Sequence, residues 1–317
     1  IFPVVLIYGV SITNTVDSFI VNQLGGPEIS RYILAPLCVG LMTLALAFGN
    51  AIMLKIAQFV VYPLIVALAA VSLYLIPQWD LGSFMEAGDH TAGGVIKAII
   101  LILPVLVFSF SFVAAISQFS LGMEKEYGAD HHTQSDKVIR NSAALLTIFT
   151  MFFVWSCALA MGADGMQEAN DKNLPVLSYF ANETGTPFMA YMAPIVVICA
   201  VASSYFGHAL GTIEGTQYLF NLAAPKATKK MSTRTLDLWT YLFIFITTSL
   251  VGIFNPSILD MISVVGGVFF AFMTYLLPIW VIYRVEALAR FRGKKTNYFV
   301  AVMGLIVLFA TIWGMFQ

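Results

Sequence analysis

The chain has 317 residues, of which 59% are hydrophobic and 10% are charged, and its net charge is −1. This composition and a mean hydropathy of +0.86 exclude an ordinary soluble domain, which carries about 25% charged residues. The sequence contains no basic patch interleaved with aromatic residues, the pattern that would indicate nucleic-acid binding. Cys38, Cys157 and Cys199 stand in apolar runs without a CxxC motif, which favours buried thiols.

Apolar runs of about 20 residues predict nine transmembrane helices and no soluble domain between them. Ile1 already lies inside an apolar stretch, so we expect the natural protein to have residues before it. The approximate limits of the nine spans are residues 1–24, 30–48, 52–76, 94–121, 137–161, 187–222, 236–253, 258–283 and 298–316.

The distribution of Lys and Arg predicts the orientation of these spans. The even-numbered connections hold most of the basic residues, whereas the odd-numbered ones hold only Arg31, Lys97 and Lys172. Because basic residues are retained on the cytoplasmic side, we expect the Ile1 end in the cytoplasm and the Gln317 end in the periplasm.

The first span carries a cluster of polar residues. Tyr8, Ser11 and Thr15 recur at helical spacing and share one face. Asp17 follows about 12 Å from the outer end of the helix. It is either a carboxylate at the level of the lipid headgroups or a residue of an outer vestibule or gate.

The fourth span is unusual in its middle. Pro104 removes a backbone donor, and Ser109 and Ser111 then alternate with aromatic residues near the middle of the bilayer. A helix weakened at that depth can unwind only where it lines a cavity, as in the substrate sites of secondary transporters. We therefore predict an interruption between Leu106 and Ala115. The alternative is a kinked helix whose serines bond back to its own carbonyls.

The sixth span combines a glycine repeat with polar side chains. Gly207, Gly211 and Gly215 recur every four residues, which predicts close contact of the first two with a neighbouring helix. The adjacent hydroxyls of Ser203 and Ser204 suit either a small hard cation or hydrogen bonds between helices.

Two groups of histidines are candidates for ion chemistry. His208 lies within the membrane thickness, where it can couple transport to protons or simply pack. His131 and His132 stand beside Asp130, but adjacent histidines point to different sides of a helix. We therefore predict no metal site there.

Eight stretches along the chain carry a resemblance to a known family. They are residues 8–19 (YGVSITNTVDSF), 73–79 (LYLIPQW), 103–110 (LPVLVFSF), 151–159 (MFFVWSCAL), 192–198 (MAPIVVI), 206–215 (FGHALGTIEG), 255–262 (NPSILDMI) and 300–306 (VAVMGLI). With these, the chain resembles the bacterial hydroxy- and aromatic-amino-acid permease family of the amino acid/auxin permease group, most closely its serine permease branch.

The resemblance implies an all-α integral membrane protein with the eleven-helix, inverted-repeat fold of leucine-transporter-like proteins. Residues 1–317 would form one transporter domain that contains family helices 3–11, and helices 1 and 2 would precede it. The interrupted fourth span would be helix 6, and the span with Ser203 and Ser204 would be helix 8.

The resemblance also assigns roles to individual residues. It implies that the amino-acid substrate meets the unwound part of helix 6, with a binding set of Tyr8, Ser109, Phe110, Ser111 and Phe112. In sodium-coupled relatives a hydroxyl pair on helix 8 binds the ion. That role would fall to Ser203 and Ser204 together with the Ala200 carbonyl, whereas His208 is the candidate for proton coupling.

Two departures from the family pattern affect the substrate and the coupling ion. Serine permeases tend to read FSFNHSP where this chain has FSFSFVA at residues 108–114, and Thr-Lys where it has Ala202 and Ser203. A lysine there could replace a sodium ion, as in proton-driven relatives. Its absence favours sodium, while the likeness to proton-driven permeases favours protons.

We therefore predict a secondary active transporter of the bacterial inner membrane that imports a neutral amino acid, preferably serine- or threonine-like, by symport with sodium or protons. No cofactor is expected, and the partners are the amino acid and the lipid bilayer, with no nucleic acid. The alternatives are a proton-coupled permease for aromatic or other neutral amino acids and a sensor that binds without transporting. Because neither HExxH, GxSxG nor a cluster of intramembrane acids is present, a membrane-embedded enzyme is disfavoured.

Overall fold

The computed structural model describes residues 1–46, 50–86, 88, 90–183, 186–225 and 232–316. Within these ranges nearly every residue is helical and no β-strand is present. The α-helices are Phe2–Ser18 (α1), Arg31–Leu46 (α2), Asn50–Leu75 (α3), Leu81–Glu86 (α4), Ala92–Ser109 (α5), Val113–Tyr127 (α6), His131–Asp171 (α7), Val176–Glu183 (α8), Pro187–Ala223 (α9), Thr233–Phe254 (α10), Ile258–Val264 (α11), Leu277–Arg284 (α12) and Lys295–Gly314 (α13).

Several helices are extended by segments of different pitch. Three segments are 3-10 helices, Ile76–Gln78, Gly128–Asp130 and Glu286–Phe291. Three more are π-helical: Phe19–Gln23 after α1, and Val265–Phe270 and Phe272–Leu276 between α11 and α12. Because π-helices are rare and cluster at functional sites, this widening of the eighth span is notable.

Within the described ranges, eight helices are long and apolar enough to cross a membrane. They are Phe2–Gln23, Phe59–Gln78, Ala92–Ser109, Phe119–Asp171, Pro187–Ala223, Thr233–Phe254, Ile258–Arg284 and Lys295–Gly314. Each corresponds to one of the nine predicted spans. The remaining predicted span, the second, corresponds to the 16-residue helix α2, about 24 Å long at about 1.5 Å per residue. The predicted span continues to residue 48, and its last two residues lie outside the described ranges.

Large apolar side chains cover the outside of these helices. Phe254 is 79% exposed and Phe59 78%, and many Leu, Ile and Val side chains on other spans are exposed as well. Such a surface is stable in hydrocarbon rather than water, and helices satisfy their own backbone hydrogen bonds there. The chain is therefore an all-α membrane protein.

Contacts divide the chain into two compact units. The first comprises residues 1–85 and 148–258, and the second residues 86–147 and 259–317. The boundary within α7 falls between Thr147 and Ile148. Further along, α7 is interrupted at Gly162, where φ is 65° and ψ is −177°. That interruption immediately follows the predicted end of the fifth span at residue 161.

In the first unit, α1 packs against α9 and α10, and α2 packs against α10. Gly9 allows α1 to approach α10, because a Cβ built there would overlap the Thr248 side chain. The Tyr205 ring of α9 is completely buried, and its hydroxyl lies 2.7 Å from Thr43 Oγ1 of α2. These contacts fix the face of α9 that points into the core.

In the second unit, α5 packs against the π-helical segment Val265–Phe270 and against α13. Gly266 lies directly against the carbonyl of Pro104, and Gly267 lies against Thr311, so neither position has room for a side chain. The rings of Phe108 and Phe270 meet edge to face with centroids 5.5 Å apart. The two glycines therefore allow this span to pack closely against its neighbours.

Candidate functional site

The predicted interruption of the fourth span is confirmed. Helix α5 ends at Ser109 and α6 begins at Val113, and the linking residues Phe110 and Phe112 leave helical geometry with φ/ψ of −99°/4° and −117°/24°. Pro104 is not the point of rupture, because α5 continues for five residues beyond it. The break falls instead on the alternating Ser and Phe residues.

The two serines at the break have different surroundings. Ser109 Oγ donates a hydrogen bond to its own helix at Val105 O, 2.8 Å away, as the back-bonding alternative requires. Ser111 Oγ is buried and has no hydrogen-bond partner among the described residues. Since buried polar groups are normally paired, Ser111 retains an unused donor and acceptor at the break.

In the first unit, Tyr8 of α1 meets two predicted coupling residues of α9. Its hydroxyl interacts with the Ser204 side chain. Its ring meets the His208 imidazole edge to face, with centroids 5.5 Å apart. The structure therefore brings Tyr8, Ser204 and His208 together.

The other hydrogen bonds of α9 define the state of these groups. Ser203 Oγ donates to Ala200 O at 3.0 Å, so two of the three predicted ion ligands contact each other. His208 Nδ1 lies 2.9 Å from Ser204 O. Because a carbonyl oxygen only accepts, Nδ1 carries the proton and the neutral ring keeps its acceptor lone pair on Nε2.

The predicted glycine contact is wrong for Gly207. In the described part of the chain nothing lies within 4 Å of a Cβ built at Gly207 or at Gly215. A Cβ built at Gly211 would lie 3.3 Å from the Ile1 side chain. The physical reason is rotational register: the buried face of α9 runs through Tyr205, Ala209, Thr212 and Ile213, and Gly207 lies off that face.

Sequence reasoning missed a polar cavity of about 630 Å³ in the first unit. We call it the polar cavity. Its charged lining contains both acids and bases, and the full lining is Asn14, Asp17, Ser18, Val21, Asn22, Glu28, Arg31, Lys172, Leu174, Asn182, Glu183 and Asn255. Asp17, for which a vestibule role is one of the two alternatives predicted from the sequence, lines this cavity.

A cluster of three asparagines lies at the polar cavity, and two of them, Asn14 and Asn255, line it. Asn14 Nδ2 donates to Asn173 O at 2.8 Å and to Asn255 Oδ1 at 3.0 Å. Asn173 Nδ2 donates to Asn255 Oδ1 and to Pro256 O, both at 2.9 Å, and its Oδ1 accepts from Ile258 N at 2.8 Å. Asn173 and Asn255 both have positive φ, which asparagine tolerates better than most residues.

Lys172, which lines the cavity, is paired with two carboxylates. Lys172 Nζ lies 2.6 Å from Glu168 Oε1 and 3.8 Å from Glu183 Oε1. The hydrogen bond to Glu168 raises the pKa of Lys172, so it stays a cation. The hydroxyl of Tyr179 also donates to Glu168, and this bond raises the pKa of Tyr179 to about 12.

The histidine pair at the start of α7 has a local role. The rings of His131 and His132 lie side by side, tilted by 40° with centroids 3.9 Å apart, so they do not point to different sides of the helix as expected. His131 Nδ1 lies 2.7 Å from Gly128 O. Asp130 accepts a hydrogen bond from Gln134 at 2.7 Å. No group of three or more metal-ligating side chains occurs in the part of the chain that the structure describes.

An interrupted apolar span in a helical membrane protein is typical of the class of secondary transporters. Comparison with known families agrees: residues 20–317 match the family described as transmembrane amino acid transporter protein, and the chain belongs to that family. It is therefore a transporter and not an enzyme. No solved structure matches the chain.

Similar proteins cover the whole chain. The serine transporter SdaC of Escherichia coli K12 is 36% identical over 322 residues, which cover 100% of this chain and 75% of that protein. The threonine/serine transporter TdcC of Yersinia enterocolitica is 35% identical over 334 residues, covering 99% of this chain and 75% of that protein. TdcC of Escherichia fergusonii is 35% identical, with 100% and 76% covered.

Proposed function

We propose that the protein imports a neutral amino acid, with serine or threonine preferred, by ion symport across the bacterial inner membrane. The observation that carries this proposal is the interruption between Ser109 and Val113 with the unpaired hydroxyl of Ser111 beside it. The similarity to transporters named for serine and threonine supports the choice of substrate.

The interruption suits the two charges of an amino acid. The last carbonyls of α5 carry partial negative charge and favour an ammonium group, whereas the first N–H groups of α6 favour a carboxylate. The residue at the N-cap position of α6, Phe112, makes no side-chain hydrogen bond to those N–H groups. Ser111 would bind a polar group of the substrate, and Ser109, Phe110 and Phe112 would shape the pocket.

Tyr8 is proposed as a further substrate contact in the first unit. Its hydroxyl interacts with Ser204, and a hydroxyl has one donor and two acceptor sites, so one partner does not exhaust it. A substrate that engages Tyr8 would therefore act directly on a residue of the coupling group.

For coupling we propose a sodium ion bound by Ala200 O, Ser203 Oγ and Ser204 Oγ. The hydrogen bond from Ser203 to Ala200 holds two of these oxygens 3.0 Å apart and leaves lone pairs on both. No Lys or Arg occurs between residues 187 and 225, so no basic side chain of this span replaces the ion. A basic side chain about 4 Å from the ion would repel it by about 4 kcal/mol at an effective dielectric of about 20.

A proton is the alternative coupling ion, and one observation favours it. His208 donates from Nδ1 to its own helix, which leaves Nε2 to accept a proton. In this alternative the Tyr8 ring, 5.5 Å away, would sense the charge on the imidazole.

We propose that residues 1–317 act as one transporter domain equivalent to family helices 3–11, with the Ile1 end cytoplasmic and the Gln317 end periplasmic. The basic loop at residues 286–295 supports this orientation, because such loops remain in the cytoplasm.

The test is uptake of labelled serine, threonine and phenylalanine into proteoliposomes that contain the purified full-length protein. Accumulation of serine or threonine against its gradient is expected, with phenylalanine far behind. Preference for phenylalanine would favour the aromatic permease, and binding without accumulation would favour the sensor. Phe110→Ala and Phe112→Ala should alter the order of substrates; equal loss for all substrates with lower abundance would indicate packing only.

A further inference from the structure

The polar cavity defined above shares no residue with the proposed substrate and coupling sites. Its volume of about 630 Å³ falls in the range of small-molecule sites, about 300–1,000 Å³. Acids and bases face the same space: Asp17, Glu28 and Glu183 carry carboxylates, and Arg31 and Lys172 carry cations. A zwitterion is the ligand class that satisfies both signs at once.

The two cations differ in how much of their charge is already used. Lys172 is paired with Glu168 and Glu183, at 2.6 and 3.8 Å. Arg31 instead donates from Nε and Nη2 to the Gly252 carbonyl, at 3.2 and 2.7 Å. A neutral carbonyl orients the guanidinium without neutralising it, and the remaining N–H groups of Arg31 keep the fork that binds carboxylates.

Asp17 is the matching anion. It interacts electrostatically with Arg31 and Glu28. No salt bridge within 4.0 Å joins Asp17 to any base in the described ranges. The half-buried carboxylate of Asp17 and the guanidinium of Arg31 therefore attract each other at the cavity but do not form a salt bridge.

A second, independent observation indicates a missing partner at this place. Asn14 lines the cavity, is only 5% exposed, and uses Nδ2 for its two hydrogen bonds to Asn173 and Asn255. Its Oδ1 is buried and has no donor among the described residues. An acceptor in this state calls for an N–H or O–H group, and an ammonium group supplies three.

We propose that the polar cavity is a second binding site for a free amino acid, distinct from the interruption at Ser109–Val113. Arg31 binds the carboxylate of the ligand, and Asp17 together with Asn14 Oδ1 binds its ammonium group. The inference rests on the proposed function, because it takes the transported amino acid as the ligand. The side chain of the ligand lies toward Val21 and Leu174, the two apolar members of the lining.

The test measures how many molecules of labelled L-serine bind to the purified full-length protein in lipid nanodiscs at saturation. We expect two per wild-type protein and one for Asp17→Asn and for Arg31→Gln. Losing a charged hydrogen-bonding partner weakens a site by about tenfold to a hundredfold, so that site is half-empty or emptier at the lowest serine concentration that fills both wild-type sites. Asp164→Asn and Lys97→Gln change the same charges away from the cavity and should keep two.

Val21→Trp is a second kind of variant, because it fills the cavity and leaves every charge in place. It should also bind one serine. Elution as a single species in size-exclusion chromatography shows which variants are folded, and one folded variant of the three suffices.

The outcomes separate the two proposals. A wild-type protein that transports serine but saturates at one molecule overturns the second site and leaves the transport function intact. Cavity variants that still bind two molecules but transport slowly also overturn it, because Asp17 and Arg31 would then act only as a gate. A wild-type protein that neither binds nor transports serine removes the proposed function itself.

Discussion

Ser111 is the residue at which structure and proposed chemistry meet most directly. Ser111→Ala should raise the KM for serine uptake by about tenfold or more, since a hydrogen bond to a charged group contributes about 1.5–3 kcal/mol. Its hydroxyl has no partner in the described structure, so removing it should not lower the free energy of unfolding. Substrate-dependent uptake rates and thermal unfolding in detergent check both statements.

Ser109→Ala is the matched control for that experiment. The Ser109 hydroxyl is satisfied by Val105 O within its own helix, so its loss should change the KM by much less. An equal rise in KM for the two variants would mean that neither hydroxyl contacts the substrate specifically.

The coupling ion is decided at Ser204 and His208. Under sodium coupling, Ser204→Ala should raise the sodium concentration for half-maximal uptake by about tenfold, a loss of about 1.4 kcal/mol. Thr216→Ala removes a hydroxyl that bonds only to its own helix, at Thr212 O, and should leave this concentration unchanged.

Under proton coupling the same variants behave differently. Uptake would then follow the pH gradient in sodium-free buffer, and His208→Gln would abolish that dependence because glutamine cannot accept the proton. Full uptake by the wild-type protein without sodium would end the sodium proposal.

At the scale of helices, the interruption depends on the close contact between α5 and the π-helical segment Val265–Phe270. A Cβ at Gly266 would overlap the Pro104 carbonyl and lie 2.9 Å from Phe108 Cβ. Gly266→Ala should therefore cost about 1–3 kcal/mol of stability and reduce uptake. Gly215→Ala adds the same methyl group in open space and should retain both stability and uptake. Normal uptake by the Gly266 variant would show that α5 can shift freely.

The asparagine cluster joins α1 to the ends of α7 and α10. Asn173→Gly removes three hydrogen bonds but suits the positive φ of 52°, and it should lower the free energy of unfolding by about 2–3 kcal/mol. Asn173→Ala should cost about 1 kcal/mol more, because alanine is strained in that conformation.

Thermal unfolding with Asn22→Ala as the control measures this difference. Asn22 Nδ2 makes one bond of 3.1 Å to Ser18 in the same helix, so its replacement should be nearly neutral. Identical midpoints for the glycine and alanine variants of Asn173 would contradict the argument from backbone strain.

At the scale of the whole molecule, the sequence predicted what local chemistry determines. Hydropathy gave the spans, and the serine–phenylalanine alternation after Pro104 gave the interruption, because both effects act within one helical segment. The polar cavity was not predicted, because residues far apart in the sequence meet beside it. Asn14 bonds to Asn173 and Asn255, which come 159 and 241 positions later in the chain. The contact predicted at Gly207 was wrong, because the helix that packs against a given helix face is determined by the tertiary structure and not by the local sequence.

The two π-helical segments within Ile258–Arg284 have a consequence for chain length. A π turn accommodates one residue more than an α turn, so it behaves as a stored insertion. Deleting one residue from this span can be absorbed when a π turn becomes an α turn, and the helix beyond keeps its register. In the purely α-helical span Pro187–Ala223 the same deletion would rotate every later side chain by about 100°. Natural and engineered length variation is therefore expected in the first of these spans and not in the second.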